Sequence, residues 1–176
     1  EGLLGIELDP DFASNGWVYL HYTPHAKIDR DKRMAVRQVS RFTFDPATSK
    51  LDLASEKVLL GWPVQINSCC HAGGGMAWDS KGNLYIATGD NNSSGFSDGY
   101  SGNNPQPNYK GVSFADARRT SGNTNNLNGK ILRIHPEDDG TYTLPAGNLF
   151  TGKEPDEGGG KTRGEIYVMG VRNPAR

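Results

Sequence analysis

The sequence predicts an all-β fold made of several short antiparallel strands. Apolar and polar residues alternate with a period of two along much of the chain, whereas no stretch keeps helical apolar spacing over an ordinary helix length. Twenty-three glycines and ten prolines place much of the 176-residue chain in turns and loops. The two observations together favour an all-β architecture over a helical bundle.

The alternation predicts nine strands, and turn signals separate most of them. The strands are expected at residues 3–8, 17–22, 37–44, 57–61, 75–78, 84–88, 130–134, 141–143 and 165–169. The turn signals include Asp9-Pro10, Asn15-Gly16, Asp45-Pro46, Lys81-Gly82 and Asp138-Asp139-Gly140, of which the last is a strong hairpin signal. We therefore expect neighbouring strands to pair in antiparallel fashion.

One short motif, Gly-x-apolar-Tyr-apolar, occurs three times at strand starts, at 16–20, 82–86 and 164–168. Propeller blades repeat at about 40 to 50 residues, so blades at this spacing require long insertions. The Asn/Gly/Ser-rich stretch at about 91–128 is expected to be one of them. The motif is also a frequent strand entry, which is the competing interpretation. Two or three blades cannot close a ring, so residues 1–176 are predicted to be a partial β-propeller domain.

Charge and hydropathy exclude two broad classes of protein. The 19 basic and 20 acidic side chains nearly cancel, which argues against a general nucleic-acid binder. No apolar run approaches the roughly 18 to 20 residues of a membrane span. Glu1 stands directly before an apolar run, so any signal peptide is expected to be absent from this sequence. The other end stops as a strand gives way to a polar loop, which favours a fragment of a longer chain.

The densest group of chemically useful residues is Cys69-Cys70-His71-Ala72-Gly73-Gly74-Gly75, directly before a predicted strand. The glycines allow close approach of a backbone or ligand, and His71 is a candidate general base at neutral pH. A hydrogen-bonded structural histidine is the alternative. The remaining histidines have no comparable setting and are expected on strand or turn surfaces; they are His21, His25 and His135.

Asp90 is the candidate partner of His71. It ends the predicted strand that would pair with the strand after His71, so a hairpin would return it to the same end of the sheet. A carboxylate there would fix the imidazole tautomer and stabilise its charged form. A residue that caps its own turn is the alternative.

Cys69 and Cys70 are adjacent, which excludes the spaced CxxC pattern of zinc and redox sites. In an exported protein the two thiols could form a vicinal disulfide, a small strained ring that would make a rigid wall beside His71. Two buried free thiols are the alternative.

Arg172 and Asn173 place a guanidinium fork and an amide at the end of the last predicted strand. Arginine binds planar carboxylates in a bidentate manner, so the pair suits a planar anionic ligand. By local logic, the same two residues are equally suited to fastening the turn before Pro174.

Five segments in order are similar to the soluble PQQ-dependent sugar dehydrogenases, the glucose/sorbosone dehydrogenase family. They are Gly2 to Ile6 with Asp9 to Phe12, His71 to Gly75, Asn83 to Asp90, Asn128 to Ile134, and Gly170 to Pro174. The resemblance implies a six-bladed β-propeller of four-stranded antiparallel sheets, of which this chain would contain two to three blades. It also implies that pyrroloquinoline quinone (PQQ) and calcium lie in a pocket on the propeller axis.

By this resemblance, His71 would take the proton of a sugar's anomeric hydroxyl while a hydride passes to the quinone. Asp90 would orient the base, and Arg172 and Asn173 would hold the polar edge of PQQ. The paired cysteines depart from the soluble glucose dehydrogenase pattern. Adjacent cysteines that form a ring over PQQ occur in the separate quinoprotein alcohol dehydrogenases, so Cys69 and Cys70 are expected near the cofactor.

The implied substrate is an aldose or related polyol, the electron acceptor an external one such as a cytochrome, and the location periplasmic or extracellular. Calcium ligands are expected after Arg176. Oxygen atoms of Asn91, Asn92 and Asp98 could also bind calcium, but a solvated loop is the favoured interpretation for them. The alternative function is a non-catalytic β-propeller that binds carbohydrate or a protein partner.

Overall fold

The structure is a computed structural model that describes residues 2–66, 71–92, 116–156 and 159–174. Within these ranges ten strands form two antiparallel sheets. The first sheet contains β1 (Leu3–Leu8), β2 (Trp17–Tyr22), β3 (Ile28–Asp29), β4 (Met34–Asp45) and β5 (Lys50–Gln65). The second contains β6 (Gly73–Trp78), β7 (Leu84–Thr88), β8 (Lys130–Pro136), β9 (Tyr142–Thr143) and β10 (Ile166–Met169).

Each sheet is a four-stranded antiparallel blade with one additional two-residue strand. The order is β1-β2-β4-β5 in the first sheet, and β3 pairs with the start of β4. The order is β6-β7-β8-β10 in the second, and β9 pairs with the end of β8. The predicted fold class, part of a β-propeller, is therefore confirmed, and the described residues hold two blades. Helix among them is limited to α1 (Phe12–Asn15) and two short 3₁₀ turns (His25–Lys27 and Ala117–Arg119).

Three predicted strands, β1, β2 and β7, have the predicted bounds, whereas β4 and β5 are longer than predicted. The β4–β5 ladder has two register shifts, after Val39 and after Arg41, and the extra residues lie on β5. Such bulges interrupt the period of two along β5, so its alternation is locally lost while pairing continues. The two-residue strand β3 is too short to produce a pattern.

Two of the three motif copies occupy equivalent positions, at the start of the second strand of each sheet. Their tyrosines make equivalent contacts, because Tyr19 donates to Asp9 (3.0 Å) and Tyr85 to Asp79 (3.5 Å) in the preceding turn. The third copy opens β10, on the other side of β8. Of the predicted insertion at 91–128, residues 93–115 lie outside the described ranges, so the insertion stays a prediction.

The core lies between the two sheets, and one face of β4 supplies its centre and both ends. Val39 is fully buried in the middle of that face. At one end, Arg41 stacks 3.7 Å from the ring centroid of Trp17 and donates to the carbonyls of Glu137 (2.9 Å) and Asp138 (2.8 Å). At the other end, Arg37 donates to the carbonyl of Ala72 (3.1 Å). The two guanidinium groups thus fasten the second sheet to the first.

His21 corrects one expectation, because it is fully buried in this joint rather than on a strand surface. Its ring centroid lies 5.3 Å from that of Trp62. Burial, together with the nearby charge of Arg37, lowers the pKa of His21 from 6.5 to about 3. His25 is exposed and His135 half-buried, in keeping with surface positions. No helix within the described residues is long and apolar enough to cross a bilayer.

We expect the neutral His21 to make the fold sensitive to acid. Between the folded pKa of about 3 and the unfolded value of 6.5, only the unfolded chain binds the extra proton, so stability falls as pH drops through this window. Between about pH 7 and pH 4.5 the loss should be about 3 kcal/mol, and His21→Leu should remove it. Urea unfolding of the full-length protein at both pH values measures the difference.

His25→Leu, at an exposed histidine, is the matched control and should lose stability with acid as the wild type does. An acid loss of the same size in the His21→Leu variant would contradict the prediction.

Candidate active site

Three connections between strands bring the candidate residues to one end of the second sheet. His71 lies between β5 and β6, Asp90 follows β7, and Arg172 and Asn173 follow β10. Because β6 and β7 form an antiparallel pair in which Gly73 faces Thr88, the start of β6 and the end of β7 are neighbours. The residues at those two positions therefore meet.

His71 and Asp90 form a buried hydrogen-bonded pair. The imidazole Nδ1 lies 2.8 Å from the Asp90 Oδ1, and the two residues are only 8% and 4% exposed. With Asp90 ionised, the ring proton stays on Nδ1, and the Nδ1–H group donates a hydrogen bond to the carboxylate. A lone pair is then left on Nε2. The arrangement gives His71 the tautomer of a general base.

Asp90 is held in place on both its backbone and its side chain. Its N–H donates to the carbonyl of Arg172 (2.8 Å), and its Oδ1 also accepts the N–H of Asn92 (3.0 Å). The same oxygen thus caps its own turn and binds the imidazole. Both contacts that the sequence left open for Asp90, to its own turn and to His71, are present.

The backbone of His71 adopts a left-handed conformation with φ of 52°, which is uncommon for a residue other than glycine. Its carbonyl accepts the N–H of Asn91 (3.2 Å), which has a φ of 58°. Gly89 lies directly against that carbonyl, so a Cβ at position 89 would overlap it. Strain of this kind persists only where the surroundings determine the conformation.

The glycines after His71 are needed for close packing of backbone. A Cβ on Gly73 would overlap the carbonyl of Ala87, and one on Gly74 would lie 2.7 Å from the carbonyl of Leu4. The segment therefore passes between β1 and β7 with main chain on both sides.

Arg172 and Asn173 have different roles in the structure. The Asn173 Oδ1 accepts the N–H of Gly73 (3.1 Å), so this amide fastens the turn to the start of β6. The carbonyl of Arg172 accepts the N–H of Asp90. The Arg172 side chain is exposed, and its guanidinium has no hydrogen bond or ion pair with any residue in the described ranges. Its fork of donors is available to an anion.

The remaining candidates give a mixed result. Cys69, Cys70 and Asp98 lie outside the described residues. Asn91 and Asn92 are buried, so the expectation of a solvated loop is wrong for these two positions. The described ranges contain no group of three or more His, Cys, Asp or Glu side chains that could hold a metal ion.

Lys130 supports the site and was not predicted from the sequence. It is fully buried, and its Nζ donates to the carbonyls of Thr120 (2.8 Å), Ser121 (2.9 Å) and Asn128 (2.8 Å). Burial lowers its pKa to about 7. The local sequence shows only a lysine directly before an apolar run, and this pattern does not predict that the lysine is buried or that it binds three carbonyls.

The loop that Lys130 holds reaches the candidate site through Gly129. The N–H of Gly129 donates to the carbonyl of Gly89 (2.8 Å), and its carbonyl accepts the N–H of Val171 (3.2 Å). The connection before Asp90 and the connection that carries Arg172 are thus joined through one glycine.

Comparison with known proteins places these features in context. The family model for glucose/sorbosone dehydrogenase matches residues 1–175. The chain is similar to a glucose dehydrogenase, with 25% sequence identity and a TM-score of 0.61. It is also similar to the soluble aldose sugar dehydrogenase of Escherichia coli, with 26% sequence identity and a TM-score of 0.61. The PQQ-bound aldose sugar dehydrogenase of Streptomyces coelicolor shares the fold, with 24% sequence identity and a TM-score of 0.55. These matches cover 98% of this chain but 42%, 38% and 37% of the three structures, about two fifths of their length.

We expect Gly89→Ala to disrupt the candidate site. The new methyl group would overlap the carbonyl of His71, so the His71 backbone or β7 must move, at a cost of about 3 kcal/mol. Gly61→Ala is the matched control, because its Cβ would lie 3.5 Å from the nearest atom, at ordinary contact distance. Urea unfolding of both variants measures the difference, and equal stability of the two would contradict the prediction.

Proposed function

Because the chain belongs to the glucose/sorbosone dehydrogenase family, we propose that it carries the proton-accepting side of the active site of a quinoprotein sugar dehydrogenase. The substrate would be an aldose or a related polyol. The observation that supports this most directly is the buried His71–Asp90 hydrogen bond, which leaves Nε2 of the imidazole to accept a proton.

The residues beside this pair fit a PQQ cofactor. PQQ is a planar tricarboxylate, and Arg172 offers an exposed guanidinium that binds no other described residue. Arg172 and Asp90 are joined through the backbone, so the main chain that carries the guanidinium adjoins the partner of the base. When bound, the quinone would supply the acceptor for the hydride of the sugar's C–H bond.

In the proposed reaction, His71 accepts the proton of the anomeric hydroxyl on Nε2. Asp90 keeps the proton on Nδ1 and stabilises the imidazolium that forms. Arg172 would hold a cofactor carboxylate, while Asn173 fastens the turn after β10 by accepting the N–H of Gly73. Burial of His71 and Asp90 limits their contact with water and strengthens their electrostatic interaction.

Calcium, an external electron acceptor such as a cytochrome, and a periplasmic or extracellular location complete the proposal. They rest on the family resemblance, and we assign no calcium ligand. A vicinal disulfide between Cys69 and Cys70 belongs to the same proposal. Alkylation of the protein unfolded in urea without reductant tests it, because free thiols at these two positions would add two alkyl groups to the intact mass.

The proposed function is tested with the full-length protein, PQQ, calcium and a panel of aldoses and polyols. We expect PQQ-dependent reduction of an artificial dye by at least one sugar. His71→Ala should lower turnover by roughly 10²- to 10⁴-fold, the typical contribution of a general base, with little change in PQQ affinity.

His25→Ala, at an exposed histidine, is the matched control and should keep full turnover. Retained dye reduction by His71→Ala would contradict the assignment of the base. If the wild type bound no PQQ at all, a non-catalytic propeller would become the better interpretation.

A further inference from the structure

We infer that Asn91 is a positioning residue for the His71–Asp90 pair, an inference that rests on the proposed function. Asn91 directly follows Asp90 and is 3% exposed. Its Oδ1 accepts the N–H of Gln65 (2.6 Å), and its Nδ2 donates to the carbonyl of Gln65 (3.3 Å). In return, the Gln65 Nε2 donates to the carbonyl of Asn91 (2.9 Å). We call this set of three hydrogen bonds the Gln65–Asn91 clasp.

The clasp joins the two sheets at the end where the candidate site lies. Gln65 is the last residue of β5 in the first sheet, whereas Asn91 lies in the connection after β7 in the second. The side-chain amide of Asn91 meets both the N–H and the carbonyl of Gln65, as a paired strand would. The N–H and the carbonyl of Gln65, at the edge of the first sheet, thus have hydrogen-bond partners in the side chain of Asn91.

Asn91 also binds the histidine directly through its backbone. Its N–H donates to the carbonyl of His71 (3.2 Å). Asn91 therefore follows Asp90 in sequence and is hydrogen-bonded to the backbone of His71. Through the clasp it is also bound to β5, the strand that precedes His71. A shift of Asn91 would move Asp90 relative to His71.

The backbone conformation of Asn91 allows a variant that removes the side-chain amide while the backbone keeps its conformation. Its φ of 58° lies in the left-handed region, which glycine and asparagine adopt more readily than other residues. Asn91→Gly keeps this conformation accessible but removes the two amide contacts with Gln65. The substitution therefore tests the clasp without forcing the backbone into a new strain.

Loss of the clasp is expected to affect catalysis more than cofactor binding. Misplacement of a catalytic group by about 1 Å can lower turnover by about 10²-fold. The Arg172 side chain, which would hold PQQ, and the Asn173 amide, which binds Gly73, make no hydrogen bond to either residue of the clasp. Turnover per bound PQQ should therefore fall while PQQ affinity stays nearly constant.

The experiment uses the full-length protein and its Asn91→Gly variant, with two readouts. The first is steady-state turnover normalised to bound PQQ, which should fall roughly 10- to 100-fold, while PQQ affinity changes less than about threefold. The second is the proton NMR signal of the His71 Nδ1–H in the protein without PQQ, identified by its loss in His71→Ala. We expect exchange with solvent to broaden or abolish this signal in Asn91→Gly.

Asn148→Gly is the matched control for the loss of a hydrogen-bonded asparagine amide. Asn148 donates to the carbonyls of Arg133 (2.9 Å) and Gly164 (2.8 Å) and accepts from the Arg133 side chain (2.8 Å), away from His71. This variant should lower the unfolding midpoint but retain both turnover per bound PQQ and the Nδ1–H signal. A purely structural role of Asn91 would give the same result.

The outcomes separate failure of this inference from failure of the proposed function. If Asn91→Gly keeps wild-type turnover per bound PQQ and an unchanged Nδ1–H signal, the positioning role is overturned. If the wild type itself shows no PQQ-dependent turnover, the proposed function fails. In that case the NMR signal still decides whether Asn91 positions the pair, because it is measured without cofactor or substrate.

Discussion

Close contact of main chain with main chain at the joint between the two sheets determines where the candidate site residues lie. The segment 71–75 runs between β1 and β7, where Gly5, Gly74 and Gly89 leave no room for a Cβ. His71 has a left-handed conformation in this tight fit, and its carbonyl lies directly against Gly89. His71 can then meet Asp90, the residue directly after that glycine. Backbone packing thus brings the two residues together, and side-chain contacts such as those of Asn91 then hold them.

Three buried cations, Arg37, Arg41 and Lys130, hold the surrounding loops by donating to main-chain carbonyls. Arg37 binds Ala72, Arg41 binds the hairpin at Glu137 and Asp138, and Lys130 binds three carbonyls near Gly129. Irregular loops leave carbonyls without strand partners, and a buried cation satisfies several of them at once. Burial of these cations removes them from water, which disfavours their charged forms. The pKa of Arg37 is therefore lowered to about 10 and that of Lys130 to about 7.

The sequence predicts what depends on local pattern and misses what depends on distant partners. The bounds of β1, β2 and β7 follow from alternation, and the proximity of His71 and Asp90 follows from an antiparallel hairpin. The role of Asn91 depends on Gln65, 26 residues earlier, and the amide of Asn173 binds a residue 100 positions away. No periodicity reports such contacts. Asn91 and Asn92 were expected in a solvated loop because asparagine-rich stretches usually are, but tertiary contacts bury both.

A propeller fold is compatible with both catalytic and binding functions, so the choice depends on how the site's groups are used. A binding protein could use a buried histidine and its carboxylate partner to fasten a loop, whereas a general base depends on the carboxylate to fix the imidazole tautomer. Asp90 does this while its own backbone and turn contacts hold it still. Beside it, the Arg172 guanidinium remains open to solvent, although other arginines of the core are engaged with carbonyls. A held imidazole and an exposed guanidinium on neighbouring connections are therefore the features that support the proposed oxidation of a sugar by an anionic quinone.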